Sequence, residues 1–290
     1  MQALASGEFV SYSAIALALG LGLLVGSFLN VVIYRMPLVL FHTWKKECVD
    51  FLAVEQELED APPGIVFPAS HCPQCKVKIK PWHNIPVLSF LLLRGKCAHC
   101  QHPISIRYPL VELVTGLLTG FVVIYFALTP QAALAALLTW CLVVLTMIDV
   151  DHKLLPDTIT LPLLWLGLGA NSFNLFVDLE SAVYGAIFGY LSLWSFYWLF
   201  KLATGKDGMG FGDFKLFAAL GAWMGWKMLL PIIILSSMVG AIVGISGILI
   251  YGRDKNIPMP FGPYLAAAGW IALFWGEAMV NYYLNYSVAG

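Results

Sequence analysis

Eight apolar segments of bilayer-spanning length constrain this chain of 290 residues more than any other feature of its sequence. A helix that crosses the hydrocarbon core of a bilayer needs about 20 apolar residues. Segments of that kind lie at 12–34, 110–128, 131–148, 159–177, 182–202, 214–230, 231–251 and 262–283. Only 11% of the residues are charged, whereas about 25% is usual in soluble domains. The sequence therefore predicts an all-α polytopic membrane protein with about eight transmembrane helices.

Proline marks the two weakest boundaries between these segments. Thr129-Pro130 separates the second segment from the third, and Pro231 alone separates the sixth from the seventh. A proline can kink a membrane helix without ending it. The first segment has neither a preceding basic residue nor a small-residue cleavage site after it, so we interpret it as a retained span rather than a signal peptide.

The distribution of Lys and Arg predicts the orientation. Nine of the 16 basic residues lie between Arg35 and Arg107, and eight spans place all the others except Lys227 on that same side. Among these others are Arg253 and Lys255. Basic loops stay in the cytoplasm, so the loop is predicted to be cytoplasmic and both termini to lie outside. The net charge of −1 gives no overall basic field, so no nucleic-acid partner is expected.

One large polar insertion divides the chain. The predicted parts are a first transmembrane helix within 1–34, a cytoplasmic loop domain at 35–109, and a seven-helix transmembrane catalytic domain at 110–290. The loop opens with an acidic amphipathic stretch at 44–60, which we predict to be a surface helix. Pro62-Pro63-Gly64 follows and is expected to end it.

Four cysteines in this loop have the spacing of a metal site. Cys72-Pro-Gln-Cys75 and Cys97-Ala-His-Cys100 are two knuckles that together supply the four thiolates of a tetrahedral Zn²⁺ shell. A closed shell leaves no position for water, so we predict one structural zinc ion per chain. The alternative is a set of redox-active or unpaired thiols, although a reducing compartment disfavours stable disulfides. Four histidines offer alternative ligands: His71, His83, His99 and His102.

Two clusters of carboxylates lie at predicted membrane edges. One contains Asp149 and Asp151 at the end of the third span, and the other has Asp213 after a glycine-rich run. Acids within membrane segments are costly and are therefore functional candidates. Two acids from different helices that share a proton can act together, one activating water as a base while the other protonates a carbonyl.

Three further acids keep open alternatives. Asp151 is either a loop acid or part of the site, and Asp157 is expected to cap the helix that begins at Thr158. Glu112 lies two residues inside the second span, where Arg107 or Lys215 could pair with it.

Other catalytic patterns do not occur in the sequence. It has no Gly-x-Ser-x-Gly elbow, no His-Glu-x-x-His helix, no P-loop and no Gly-x-Gly-x-x-Gly after a strand. Two rival functions remain. An ion-coupled transporter would have acids near the bilayer midplane and inverted repeats. A membrane assembly protein with a zinc loop and no catalytic activity would give neither acid motif a role.

The order of these motifs resembles the bacterial type IV prepilin peptidases over nearly the whole chain. The matching segments are Gly26 to Asn30 with Arg35, Cys72 to Cys100 with Pro81 to Pro86, Arg107 to Glu112, Asp149 to Asp157, Gly210 to Asp213 and Pro260 to Tyr264. The resemblance implies an inner-membrane aspartic endopeptidase of the Gly-x-Gly-Asp class, with Asp149 and Asp213 as its catalytic pair.

The resemblance also implies the substrates and a second activity. Substrates would be prepilins and the pseudopilins of type II secretion, cut on the cytoplasmic side between a Gly and the hydrophobic N-terminal segment. Members with the four-cysteine loop are implied to methylate the new N-terminal residue, usually Phe, with S-adenosylmethionine. The loop is too short for a Rossmann domain and carries no nucleotide fingerprint. The cofactor-binding residues therefore stay unassigned, and the segment Gly95 to Cys97 is only a hypothesis.

Overall fold

The computed structural model of the protein describes residues 10–54, 60–252 and 259–289. Within these ranges the chain is helical, and its extended pairing is limited to two isolated bridges in the loop. The α-helices are α1 (Tyr12–Leu52), α2 (Leu88–Leu92), α3 (Arg107–Phe126), α4 (Pro130–His152), α5 (Asp157–Asn171), α6 (Leu179–Thr204), α7 (Phe211–Met224), α8 (Leu229–Tyr251) and α9 (Gly262–Ala289). Short 3₁₀ helices cover Pro81–Asn84 and Trp226–Met228.

The long helices follow the eight predicted segments in order, which confirms an all-helical membrane protein with a four-cysteine loop between helices. Among the described residues, five helical segments are long and apolar enough to cross a membrane. They are α1, α3, α4, α6 and Trp226–Ile250, which contains most of α8. Because α5 has 15 residues and α7 has 14, both are short for a full crossing. The number of spans therefore stays a prediction.

The first helix is longer than the sequence predicts. α1 continues for 41 residues, so the predicted first span and the beginning of the predicted surface helix are one element. The helix continues beyond Arg35, whose side chain is buried. The guanidinium can be buried because it donates hydrogen bonds to the carbonyl oxygens of Gly64 and Pro68, at 2.9 and 2.8 Å. Residues 55–59 of the predicted surface helix, and Arg253 and Lys255 of the orientation argument, lie outside the described residues.

The two proline boundaries have different outcomes. α4 begins as expected, since Pro130 is its first residue and the Thr129 side chain accepts a hydrogen bond from the N–H of Ala132. The sixth predicted segment instead ends at Gly225, whose φ of 80° favours glycine. Pro231 lies in the first turn of α8, where a missing backbone donor costs little.

The chain divides into two compact units, one of residues 8–127 and the other beginning at Leu128. In the first unit α1 packs along α3, and the cysteine-bearing loop belongs to the same unit. The division at 34/35 and 109/110 that the sequence suggests stays a prediction.

In the second unit α7 is the core helix. It packs against α5, α6 and α9, and all its residues from Asp213 to Met224 are buried except Lys215. The backbones of α6 and α7 touch at Gly185 and Gly221, where a Cβ on either residue would overlap the carbonyl of the other. This contact holds the last turn of α7 closely against α6.

Candidate active site

Asp149 lies in the last turn of α4 and is 5% exposed. Its Oδ2 atom accepts a hydrogen bond of 3.0 Å from the backbone N–H of Gly262, the first residue of α9. The unpaired N–H groups at a helix start carry partial positive charge, which favours a carboxylate there. The start of α9 therefore fixes one oxygen of Asp149 and leaves the other available.

Asp213 lies in the first turn of α7 and is 7% exposed. Its Oδ1 atom is buried and has no hydrogen-bond partner among the described residues. A buried carboxylate oxygen without a partner is rare in folded proteins and calls for an explanation. Gly262, which bonds to Asp149, and Gly212, which precedes Asp213, both pack against Leu155, so the structure brings the two predicted catalytic acids to one place.

Two glycines allow the three helix ends to meet at this place. A Cβ on Gly262 would lie 2.6 Å from Asp149 Oδ2 and 3.1 Å from Leu155 Cδ2. A Cβ on Gly212 would lie 2.7 Å from the Cβ of Leu155. Real Cβ atoms essentially never make contacts of 2.6 or 2.7 Å, so a side chain at either position would force its neighbour to move. The glycine next to Asp213 therefore serves close packing.

The neighbouring acids have separate positions. Asp151 is exposed near the end of α4. Asp157 is the first residue of α5 rather than its cap, which is Pro156. The carboxylate of Asp157 accepts two hydrogen bonds from Lys215 Nζ, at 2.7 and 2.6 Å. The expected cap is therefore wrong, because the helix begins one residue earlier than predicted and the carboxylate bonds to Lys215 rather than to the first turn.

Glu112 has a backbone partner in the loop. Its Oε2 atom accepts a 2.8 Å hydrogen bond from the N–H of Val87, the residue before α2. Lys215, one of the two bases considered for it, bonds to Asp157 instead. Val87 has a φ of 60°, which is unfavourable for a β-branched residue. The hydrogen bond to Glu112 therefore helps to hold a strained position of the loop.

The four predicted metal ligands form one cluster. The Sγ atoms of Cys72, Cys75, Cys97 and Cys100 lie within 4.8 Å of one another. The Sγ atoms of Cys72 and Cys100 are 3.8 Å apart, which is the edge of a tetrahedron with Zn–S bonds of about 2.3 Å. Of the histidines in the loop, none belongs to this cluster as the described residues place it.

The two knuckles have matching backbone geometry. In each knuckle, the carbonyl oxygen of the first cysteine accepts a hydrogen bond from the backbone N–H four residues later. The N···O distance is 2.9 Å from Lys76 to Cys72 and 3.0 Å from Gln101 to Cys97. Both later residues have a φ of 58°. Hydrogen bonds from the backbone N–H groups of Cys75 and Gln74 lower the pKa of Cys72 to about 6. The matching turns bring all four Sγ atoms to one place, so the cluster can hold a metal ion.

The sequence alone does not reveal the contribution of Gly262. The segment Pro260 to Tyr264 matches the family pattern without an assigned role, whereas its backbone bonds directly to Asp149. Gly262 at the first position of the helix is the available signal, since a glycine allows its backbone N–H to approach another chain segment closely.

Comparisons with known proteins match both compact units. Residues 21–126 match the bacterial peptidase A24 N-terminal domain, and residues 136–245 match the type IV leader peptidase family. No solved structure matches the chain.

Similar proteins of known identity cover nearly the whole chain. A prepilin leader peptidase/N-methyltransferase of Pseudomonas aeruginosa is 55% identical, over 92% of each chain. Proteins with the same name from Stutzerimonas stutzeri and Aeromonas hydrophila are 53% and 54% identical, over 97% and 91% of this chain and 98% and 91% of their own. The buried aspartate pair, the four-cysteine loop and this level of identity agree, and the chain belongs to the type IV leader peptidase family.

Proposed function

We propose that this protein is a membrane aspartic endopeptidase that removes the leader peptide from prepilins and pseudopilins and then N-methylates the new N-terminal residue. The names of the relatives support both activities. The single observation that carries the peptidase activity is the buried pair of Asp149 and Asp213, in which one oxygen is held by Gly262 and another has no partner.

The geometry supports a division of labour between the two acids. Asp149 is the base, because the N–H of Gly262 stabilises a carboxylate oxygen. It takes a proton from water, whose oxygen attacks the scissile carbonyl carbon. Asp213 carries the shared proton and gives it to the carbonyl oxygen through its free Oδ1. The tetrahedral intermediate then collapses: Asp149 gives the proton it took from water to the leaving amine nitrogen as the C–N bond breaks, and Asp213 takes back its proton as the carbonyl re-forms.

The positions of the acids favour this function over a transporter. Asp149 lies in the last turn of its helix and Asp213 in the first turn of its own. A proton-coupled transporter would place such acids near the middle of its spans. Acids at helix ends instead suit a peptide bond next to the hydrophobic segment of a substrate, where water is available.

We place the protein in the bacterial inner membrane with its site facing the cytoplasm. The five apolar helical segments support integration into the membrane, and α8 presents exposed apolar residues such as Ile234, Ile242 and Ile245 to lipid. The concentration of basic residues at 35–107 supports a cytoplasmic loop. No nucleic-acid partner is proposed.

For the cysteine cluster we propose one structural Zn²⁺ per chain. The tetrahedral spacing of the Sγ atoms and four soft thiolate ligands support zinc. When bound, the ion would cross-link the two knuckles and stabilise the loop, as a structural zinc does. Catalytic steps are assigned to the aspartates alone.

S-adenosylmethionine is the proposed methyl donor, and its binding residues stay unassigned. In the segment Gly95 to Cys97, which was the hypothesis for this site, Gly95 has a φ of 69° and a Cβ on it would lie 3.1 Å from the ring of Phe90. Lys96 forms an isolated bridge to Pro103 beside the second cysteine knuckle. The segment is thus a tight turn of the metal loop.

The experiment is incubation of the purified protein in detergent with a prepilin, with and without S-adenosylmethionine. Mass spectrometry reports loss of the leader and gain of one methyl group as separate mass changes. We expect cleavage in both samples and methylation only with the donor. If the prepilin stays intact after incubation with folded protein, the proposal is contradicted.

A further inference from the structure

The segment of residues 205–210 joins α6 to α7 and ends three residues before Asp213. Three of its six residues are glycines, which lose more conformational freedom on ordering than other residues. Gly210 is the N-cap of α7 and offers no side chain to bond the first turn. Contacts from elsewhere must therefore fix the orientation of this turn.

Asp207 provides such a contact. Its Oδ1 atom accepts a hydrogen bond of 2.6 Å from the hydroxyl of Tyr197 and one of 2.8 Å from Lys201 Nζ. Lys201 Nζ also donates to the Tyr197 hydroxyl at 3.1 Å and lies 5.4 Å above the centre of the Tyr197 ring. The middle of the segment is thus tied to the last two turns of α6. We call these three residues the tether.

Tyr197 also contacts the helix that carries the catalytic acid. It is 4% exposed, and its ring centre lies 5.3 Å from that of Phe211 and 5.8 Å from that of Phe214. These two phenylalanines flank Asp213 in the first turn of α7. One side chain therefore bonds to the segment through its hydroxyl and packs on the catalytic turn through its ring.

Asp207 does not have the properties of a proton-transfer group. Hydrogen bonds from Lys201 and Tyr197 hold the pKa of its carboxyl below the usual value. Its side chain is 71% exposed, in contrast to the buried Asp149 and Asp213. A carboxylate that stays ionised acts by geometry, since it holds two donors in place.

We infer that Asp207, together with Tyr197 and Lys201, is a positioning group that fixes the first turn of α7 and so orients Asp213 for cleavage. The inference rests on the proposed peptidase function. Small displacements of a catalytic group are costly, and about 1 Å can reduce a rate by about 100-fold. The tether therefore affects the rate of cleavage although it does not contact the reacting atoms.

Two variants test this role with little change in packing. Tyr197→Phe keeps the ring against Phe211 and Phe214 but removes the hydroxyl, and Asp207→Asn removes the charge. We expect each purified variant to cleave prepilin with a kcat about tenfold lower and a KM within about twofold of wild type. The pH profile of kcat should keep its shape, because Asp149 and Asp213 still exchange the proton.

Two further variants separate positioning from a general loss of stability. Asp207→Glu keeps the charge and the acceptor, and should recover part of the kcat that Asp207→Asn loses. Glu180→Gln removes an exposed acid at the opposite end of α6 and should behave as wild type. The thermal unfolding of all four variants in detergent should match that of wild type within about 3 °C, because exposed ion pairs add little to stability and Tyr197→Phe keeps the buried ring in place.

The outcomes distinguish the inference from the function beneath it. If wild type cleaves and both Tyr197→Phe and Asp207→Asn retain its kcat, the tether has no positioning role and the inference is wrong. A loss of kcat that only parallels a loss of folded protein would also overturn it. If wild type itself does not cleave prepilin, the proposed function fails and the inference fails with it.

Discussion

The backbone N–H of Gly262 donates a hydrogen bond to the Oδ2 atom of Asp149, which lies 113 positions earlier in the chain and 3.0 Å away. The contact joins the end of α4 to the start of α9. Because a backbone N–H makes it, its position is set by the path of the main chain and not by a flexible side chain.

The close approach predicts that Gly262→Ala strongly impairs cleavage. The added Cβ would lie 2.6 Å from Asp149 Oδ2 and 3.1 Å from Leu155, so the start of α9 or the aspartate must move. We expect cleavage to fall by about 100-fold or more. The matched control is Gly169→Ala, where a Cβ would meet nothing within 4 Å. Equal cleavage rates for the two variants would contradict this account of the site.

The catalytic pair itself predicts loss of activity for Asp149→Asn and for Asp213→Asn. Asn keeps the size of the side chain but cannot exchange the proton, so each variant should cleave prepilin at least about 1,000-fold more slowly. Insertion and metal content should stay at wild-type levels, since the change is isosteric. The exposed Asp151→Asn serves as the control. Near-normal rates for either active-site variant, at matched expression, would disprove the aspartic mechanism.

Much of this site could be predicted from local sequence. Apolar length predicts the order of the helices, two Cys-x-x-Cys knuckles predict the cluster, and acids at the ends of apolar segments indicate two carboxylate clusters. These features depend on local sequence, whereas the choice of Asp149 and Asp213 within the clusters comes from the family resemblance. The acids can be recognised as functional candidates because a charge within lipid costs free energy.

The remaining features depend on distant partners, which spacing does not reveal. Arg35 was expected to end a span, but carbonyl groups of Gly64 and Pro68 satisfy it within a continuous helix. Asp157 was expected to cap a helix, but it bonds to Lys215, 58 positions away. Periodicity and composition carry no information on such pairs, so the three-dimensional packing is needed to find them.

The cysteine cluster predicts about one Zn²⁺ per chain and loss of that metal in Cys72→Ser. Cys72 is buried among the four ligands, and three thiolates leave the tetrahedron incomplete. We expect elemental analysis to show little bound zinc and the loop to become sensitive to protease. Cys48→Ser, at an exposed cysteine outside the cluster, should retain the metal. Full loop stability without any metal would show that the ion has no structural role.

The proposed orientation predicts which cysteines a membrane-impermeant reagent can reach in intact cells. Cys75 and Cys100 lie in the loop, and Leu179→Cys would place a thiol at the start of α6, which the proposed orientation puts on the outer side. Only the position at 179 should be labelled from outside. Permeabilised cells that have first been treated with a chelator should show labelling of the loop. Labelling of the loop in intact cells would reverse the orientation and move the aspartates to the outer face.

The two-unit architecture predicts that cleavage and methylation can be separated. The two aspartates proposed as catalytic belong to the unit that begins at Leu128, whereas the cysteine cluster belongs to residues 8–127. Separate family models also match the two parts. A substitution in the loop should therefore lower methylation more than cleavage. Cys97→Ser is the suitable variant, since it removes one ligand of the cluster and changes no residue of the unit that contains the aspartates.

The measurement for this prediction is the mass of prepilin after reaction with Cys97→Ser in the presence of S-adenosylmethionine. We expect leader removal within about threefold of wild type and a methylated fraction at least about tenfold lower, because loss of the metal disorders the loop but leaves the aspartate pair intact. Asp213→Asn, given already-cleaved pilin, provides the converse test and should still methylate it. If every loop variant lost both activities in equal measure at matched protein levels, the two reactions would share one structural unit.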